Sequence, residues 1–317
     1  MIVGVAIIFL IILFFLLGKA ADIVVSTIAS FSKKFGIKMY VLGIILAFFT
    51  SLPEITIAVN ATINHIPDVS LGNLLGSILV IFGLVFGCSI MLNRKIKTDG
   101  KLSNITPILL YLFLPLLFGL DGVYTRFESA LLIFWYVWVA YYLYRKHEHA
   151  SSGNHEVTIH NTGLFFRDCF AIILASITLI LLSSVIIRLT EFVLHTLHIQ
   201  GFVVGLLTFS IGTNLPEIIV TLRAWKRGLR ELSMSNLTGS AVLNPLIIGI
   251  FGFMQPYHIE VNGLYFNLMF FMALLLLAVG IFYRSGKEFS RKEGFMLLLI
   301  YLAFVGSEIG IFLETKI

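Results

Sequence analysis

Two short stretches, "TSLPE" (Thr50 to Glu54) and "TNLPE" (Thr213 to Glu217), set a hydroxyl, a proline and a carboxylate inside otherwise apolar sequence. Proline cannot extend a preceding helix but fits the first turn of a new one, so each stretch predicts a helix break followed by a restart. Ser51 and Asn214 take the expected N-cap position, and Glu54 and Glu217 the third helical position, where a capping-box glutamate sits. Merely starting a helix does not call for an acid here: a carboxylate inside a bilayer costs roughly several kcal/mol, and a neutral cap would serve. Downstream of each stretch, "SLGNLLGS" (Ser70–Ser77) and "SMSNLTGS" (Ser233–Ser240) add amides and hydroxyls at one-turn spacing. Asn73 and Ser77 share one helix face; Asn236, Ser240 and Asn244 share another. Gly72 with Gly76, and Ser235 with Gly239, are small-residue pairs of the kind that let helices approach closely. Carboxylates, hydroxyls, amides and freed backbone carbonyls make an all-oxygen set suited to hard cations such as Ca²⁺ or Na⁺, not to metals that prefer thiolate or imidazole. Two carboxylates balance one divalent ion, two monovalent ions or two protons, so competition for one site is a natural route to exchange.

The two motif regions are copies. At an offset of 163 residues Thr50, Leu52, Pro53, Glu54 and Ile55 match Thr213, Leu215, Pro216, Glu217 and Ile218, and Asn73, Gly76 and Ser77 match Asn236, Gly239 and Ser240. The glutamate and the following Gly-Ser serine are 23 residues apart in both copies. So many matches at one offset point to an internal duplication.

The elements that must carry these residues are membrane spans. The 317-residue chain is 58% hydrophobic and 12% charged, with a mean hydropathy of +0.99, which excludes a water-soluble globule. A spanning helix needs about 20 apolar residues. The sequence predicts ten such helices, at 2–31, 39–60, 69–92, 105–121, 127–144, 166–196, 201–223, 233–254, 262–283 and 294–313. The first has no basic leader and no cleavage site, so it is expected to be retained. The expected fold is an all-α integral membrane protein built from two inverted five-helix repeats, 1–145 and 166–317, joined by a cytoplasmic linker at 146–165. Inversion follows because five is odd: the second half enters from the opposite side, as in many secondary transporters with sites at the midplane.

The basic residues set the expected orientation. Of 22 Lys and Arg, 18 lie in or beside the loops after spans 1, 3, 5, 7 and 9, which the positive-inside rule makes cytoplasmic, with both termini on the far side. The net charge of +5 is therefore a topology signal, and no nucleic-acid partner is implied. Spans 1 and 6 each carry opposite charges three residues apart, Lys19 with Asp22 and Arg188 with Glu191, which read either as neighbours that pair along the helix or as side chains snorkelling to a membrane face. The linker histidines His147, His149, His155 and His160 match no metal spacing and read as a solvated loop. Cys88 and Cys169 read as packing residues, and Glu308 as an interfacial acid.

With these motifs in hand, the chain resembles the calcium/cation antiporter superfamily, its sodium/calcium exchanger branch in particular, whose two repeats carry G-T-S-x-P-E and then G-N-x-x-G-S-N-x-x-N/D. The resemblance covers nearly the whole chain. It implies that Glu54 and Glu217 are central ion ligands, surrounded by Thr50, Ser51, Ser77, Thr213, Ser240 and nearby carbonyls, with Asn73, Asn214, Asn236 and Asn244 completing the polar set. It implies also that spans 1 and 6 slide across the bundle. The departures are Phe49, Asn214, Ile78, Ala241 and above all Ile81, which stands where the family has an amide or acid while its mate Asn244 is kept. They point to fewer sodium sites, or to protons as counter-ion. The expected function is cation antiport of Ca²⁺ against Na⁺ or H⁺ by a monomeric unit in the plasma membrane. Its partners are inorganic cations and lipid, and it needs no cofactor. A monovalent cation/proton exchanger, a cation channel using the same acidic pair, and a membrane enzyme are the alternatives. The enzyme lacks any nucleophile and base pairing or zinc motif to support it.

Overall fold

Apolar residues at 17, 21, 24, 28 and 31 recur along the first helix at alternating spacings of four and three, the pattern of a helix–helix seam. The computed structural model describes residues 2–35, 39–63, 67–93, 95–98, 100–150, 162–196, 210–259, 261–285 and 288–314. In it the seam is buried: Leu17, Ala21, Val24, Ile28 and Phe31 of α1 (Ile2–Phe35) share a core with Ile172, Ala175, Leu179 and Ile186 of α8 (Thr162–Thr196). The opposite faces of both helices expose Ile8, Ile12, Phe15, Phe166, Phe170 and Leu181, an apolar surface that calls for lipid.

The described chain is helical apart from four short strands. It divides into two compact units. The first, Met1–Pro53 with Leu143–Ser240, holds α1, α8, α2 (Met39–Thr50), α9 (Leu215–Lys226) and the first part of α10 (Arg230–Met254). Leu42, Leu46, Leu215, Val220, Ala224 and Leu232 extend the α1/α8 core through these elements. A Schellman turn joins α9 to α10: Leu229 N–H bonds the Ala224 carbonyl and Gly228 N–H the Trp225 carbonyl, both at 2.9 Å. Gly228 has a φ of +74°, which glycine adopts without a Cβ clash.

The second unit comprises Glu54–Tyr142 and Ala241–Ile317. It holds most of α3 (Leu52–Ile63), α4 (Pro67–Leu79), a π-helical stretch Val80–Phe86, α5 (Gly87–Asn93), α6 (Thr106–Phe118), α7 (Arg126–Ala150) up to Tyr142, the rest of α10, α11 (Gly263–Ser285) and α12 (Arg291–Glu314). Antiparallel β1 (Lys95–Lys97) with β4 (Glu288–Ser290), in register Ile96↔Phe289, and β2 (Val123–Tyr124) with β3 (Tyr257–His258) tie loop ends together. At the end of α6 the Gly119 N–H bonds the Pro115 and Leu117 carbonyls, and two tyrosine hydroxyls bond carbonyls of the same turn. Tyr124 Oη donates to the Pro115 carbonyl at 2.5 Å and Tyr265 Oη to that of Leu116 at 2.6 Å.

Seven segments of the described chain are long and apolar enough to cross a bilayer: Ile8–Ser32, Met39–Val59, Ser70–Leu92, Phe166–Ile186, Arg230–Met254, Gly263–Ser285 and Arg291–Ile311; Thr106–Asp121 is a shorter apolar helix. Residues 201–209 of the predicted seventh span, most of the linker, and the side chains of His147, His149 and Glu191 lie outside the described residues.

Three local expectations are corrected. Lys19 does not pair with Asp22. Its ammonium lies over the Phe15 ring, 5.4 Å from the centroid, while Asp22 binds Arg223 of α9 at 3.0 Å and Arg227, just past its end, at 3.5 Å. Two guanidinium groups from a packed neighbouring helix present more donors to the carboxylate than one lysine on its own helix. Glu308 is not exposed at a surface: it is 4% exposed, and Asn267 of α11 donates to its Oε1 at 3.0 Å. Gly72 is not a contact point, since a Cβ there would meet no described atom within 4 Å. The equivalent Ser235 and Gly239 do pack closely, against Gly43 and Ala47 of α2.

Candidate ion-binding site

Both motifs break the helix where proline demands it. α2 ends at Thr50, Ser51 forms the turn with its N–H on the Ala47 carbonyl at 3.0 Å, and α3 restarts at Leu52 with Glu54 in its first turn. In the second copy Gly212, Thr213 and Asn214 form the turn and α9 restarts at Leu215 with Glu217 in its first turn. Asn214 holds the N-cap position, but its side chain does not cap. Its Nδ2 instead donates to the Ser210 carbonyl at 2.7 Å, closing the turn before the break. An amide carries a donor that serine shares only through its hydroxyl, and the preceding carbonyls are the groups the break has freed.

Every one of the eleven predicted side chains is at most 3% exposed: Thr50, Ser51, Glu54, Asn73, Ser77, Thr213, Asn214, Glu217, Asn236, Ser240 and Asn244. Burial of so many polar groups in a chain this apolar is costly unless they serve one another or a ligand.

Within the first unit three of them meet. Glu217 Oε1 accepts from Ser51 Oγ at 3.4 Å and from Ser240 Oγ at 3.3 Å. These bonds are long; hydroxyl–carboxylate bonds ordinarily close to about 2.7 Å. Thr50 Oγ1 bonds back to the Ala47 carbonyl at 3.2 Å. Thr213 and Asn236 complete this unit's share of the predicted set. In the second unit, Glu54 stands in the first turn of α3, Asn73 and Ser77 on α4, and Asn244 on the second part of α10. Ile81, also in this unit, is 1% exposed and lies in the π-helical stretch that directly follows α4. Among the described residues no group of three or more His, Cys, Asp and Glu could hold a metal, so any cation here relies on hydroxyls, amides and carbonyls beside the glutamates.

Sequence reasoning overlooked three buried polar residues of the first unit: Thr221 and Trp225, four and eight residues after Glu217, and Ser233, three before Asn236. The one-turn spacing 217, 221, 225 was the available signal. It also overlooked Arg223 and Arg227 as the partners of Asp22, 201 and 205 residues away in sequence.

Comparison with known proteins agrees with this picture. The family described as "Sodium/calcium exchanger protein" matches twice, over residues 5–145 and again over 169–309. The sodium/calcium exchanger MaX1 of Methanosarcina acetivorans is 24% identical over 91% of this chain and 94% of its own length. A membrane protein of Methanocaldococcus jannaschii, MJ0091, is 26% identical over 87% and 89% respectively. The solved structure of the sodium-calcium exchanger NCX_Mj soaked with 10 mM Na⁺ and zero Ca²⁺ shares the fold, with a TM-score of 0.80 and 23% identity over 96% of this chain and 99% of that one. A family match that takes in both halves of a helical, lipid-faced chain settles the assignment: this multi-pass membrane protein belongs to the sodium/calcium exchanger family.

Proposed function

We propose that the protein is a secondary active antiporter that exchanges Ca²⁺ for Na⁺ or H⁺ by alternating access at one site built from both motifs. Ser51 carries the reading. Its hydroxyl bonds Glu217, and the same helix break that holds it delivers Glu54 three residues on, so one turn of chain serves both acids. The long bonds around Glu217 Oε1 fit this role. Two oxygens each about 2.4 Å from one calcium ion and about 90° apart stand about 3.4 Å from each other. That is the spacing of Ser51 and Ser240 from Oε1. Glu54, Glu217, Thr50, Ser51, Ser77, Thr213 and Ser240 form the inner ligand set with nearby carbonyls; Asn73, Asn214, Asn236 and Asn244 stand around it.

The twofold family match supports two repeats, 1–145 and 166–317 about a linker at 146–165, and with them ten helices in inverted order with both termini extracytoplasmic. The protein acts as a monomer in the plasma membrane. Protons are the favoured alternative counter-ion, because Ile81 is buried and apolar at the position whose repeat mate is Asn244.

Radiolabelled Ca²⁺ uptake into proteoliposomes tests the proposal. Internal Na⁺ or internal acid is expected to drive uptake in the natural chain and not in Glu217→Gln. Uptake that proceeds equally without any counter-ion gradient would show a channel, and no gradient-driven uptake with either counter-ion would reject exchange.

A further inference from the structure

Four buried polar side chains of the first unit take no part in the ligand set proposed above or stand only at its edge, yet they share one line. Thr221 Oγ1, Trp225 Nε1, Ser233 Oγ and both amide atoms of Asn236 have no hydrogen-bond partner among the described residues. Thr221, Ser233 and Asn236 are fully buried and Trp225 is 4% exposed. Leaving such groups unmet costs about 1–3 kcal/mol each, so five orphaned atoms in one place imply a ligand.

The register of the α9–α10 hairpin stacks them. The two helices are antiparallel, joined by the three-residue turn Arg227–Leu229, and Ser240 meets Glu217 across them. Counting away from that pair in steps of four brings Thr221 level with Asn236, and then Trp225 level with Leu232, one residue from Ser233. Each step is about 6 Å along the axes. Two hydrogen bonds of about 2.8 Å through one water span nearly that distance. A buried water takes about three bonds to otherwise unsatisfied groups, and each level offers two to four.

The chemistry of the groups chooses the ligand. An indole N–H is a donor only and an amide NH₂ donates twice, so a ligand meeting both must be able to accept. With no carboxylate beyond Glu217 itself, the line suits a neutral ligand that both donates and accepts. We propose that a column of ordered water molecules runs between α9 and α10, from Glu217 past Thr221 and Asn236 to Ser233 and Trp225 at the basic turn. It hydrates Glu217 from the side that the charge pattern assigns to the cytoplasm. Its use in transport rests on the exchange reading; the column itself rests on burial and register.

Hydroxyl-radical labelling by X-ray radiolysis of the full chain in lipid nanodiscs, read by mass spectrometry, tests it without any transport step. Trp225 is expected to be labelled despite its burial, because radicals form from water held against it. Tyr124, fully buried and bonded to the Pro115 carbonyl, is expected to stay unlabelled. Asn236→Leu is expected to bring Trp225 down to the Tyr124 level. If that variant labels at Tyr124 it has not folded, and the isosteric Thr221→Val takes its place with the same expectation. An unlabelled Trp225 in the natural chain, or labelling undiminished in the folded variant, overturns the column. Such a failure leaves the exchange reading standing, whereas labelling at Trp225 in a chain that exchanges nothing rejects only the exchange reading.

Discussion

At Glu217 the two serine hydroxyls are placed by different elements, Ser51 by the α2–α3 break and Ser240 by α10, and both converge on one carboxylate oxygen. Removing either hydroxyl deletes a bond to a charged group and, on the proposed function, an ion ligand. Ser51→Ala and Ser240→Ala are each expected to weaken apparent Ca²⁺ affinity by about fivefold, the equivalent of about 1 kcal/mol, with maximal uptake largely kept. A concentration series of uptake measures this; unchanged affinity in both variants would remove the serines from the site. At this scale the sequence was informative about burial and uninformative about direction. All eleven candidates are buried, because polar residues at one-turn spacing in apolar spans have few other reasons to exist. That Asn214 reaches back to Ser210, while Ser51 reaches across to Glu217, depends on which partner the tertiary packing offers, and spacing along the chain carries no such information.

Among the elements, α2 approaches α10 closely. A Cβ added at Gly43 would collide with Ser235, and one at Gly239 would lie 2.7 Å from the Ala47 Cβ. A branched side chain there forces apart two helices that hold Ser51 and Ser240. Gly239→Val is expected to destabilise the protein by about 1–3 kcal/mol, visible as a lower thermal midpoint in detergent. Gly72→Ala, whose Cβ meets open space, is expected to leave it unchanged or slightly raised. The small-residue pattern identified both copies as contact points; the second is one, and in the first Gly72 is not. Asp22 teaches the same lesson about charge. Its three-residue spacing from Lys19 suggested a local pair, but the carboxylate turns to Arg223 of α9 and Arg227 of the turn that follows. These side chains are partly exposed, so Asp22→Asn is expected to cost no more than about 1 kcal/mol. A charge exchange, Asp22→Arg with Arg223→Asp, is expected to recover part of the loss in a double-mutant cycle; purely additive losses would show that the pair contributes nothing.

Taken as one molecule, the chain matches its family twice, and the copies differ within the proposed ligand set. The first carries Asn73, Ser77 and Ile81 where the second carries Asn236, Ser240 and Asn244. The membrane class, the two helix breaks and the buried acids were legible because hydropathy, proline and duplication are properties of the sequence itself. The π-helical stretch Val80–Phe86 was not, since one extra residue per turn leaves no composition signal. Its interior glycine, Gly83, lies where a Cβ would be 2.6 Å from that of Tyr301 on α12, a dependence on distant packing. Ile81→Asn restores the missing amide and is expected to steepen the Na⁺ dependence of Ca²⁺ uptake; an identical curve would separate Ile81 from counter-ion choice. The central claim, that one ion is held jointly by the two motifs, is tested most directly by anomalous diffraction from crystals grown with Ca²⁺ or soaked with Sr²⁺. The account predicts one strong peak with oxygens of both Glu54 and Glu217 at about 2.3–2.6 Å. A peak bound to a single glutamate, or to neither, would contradict it.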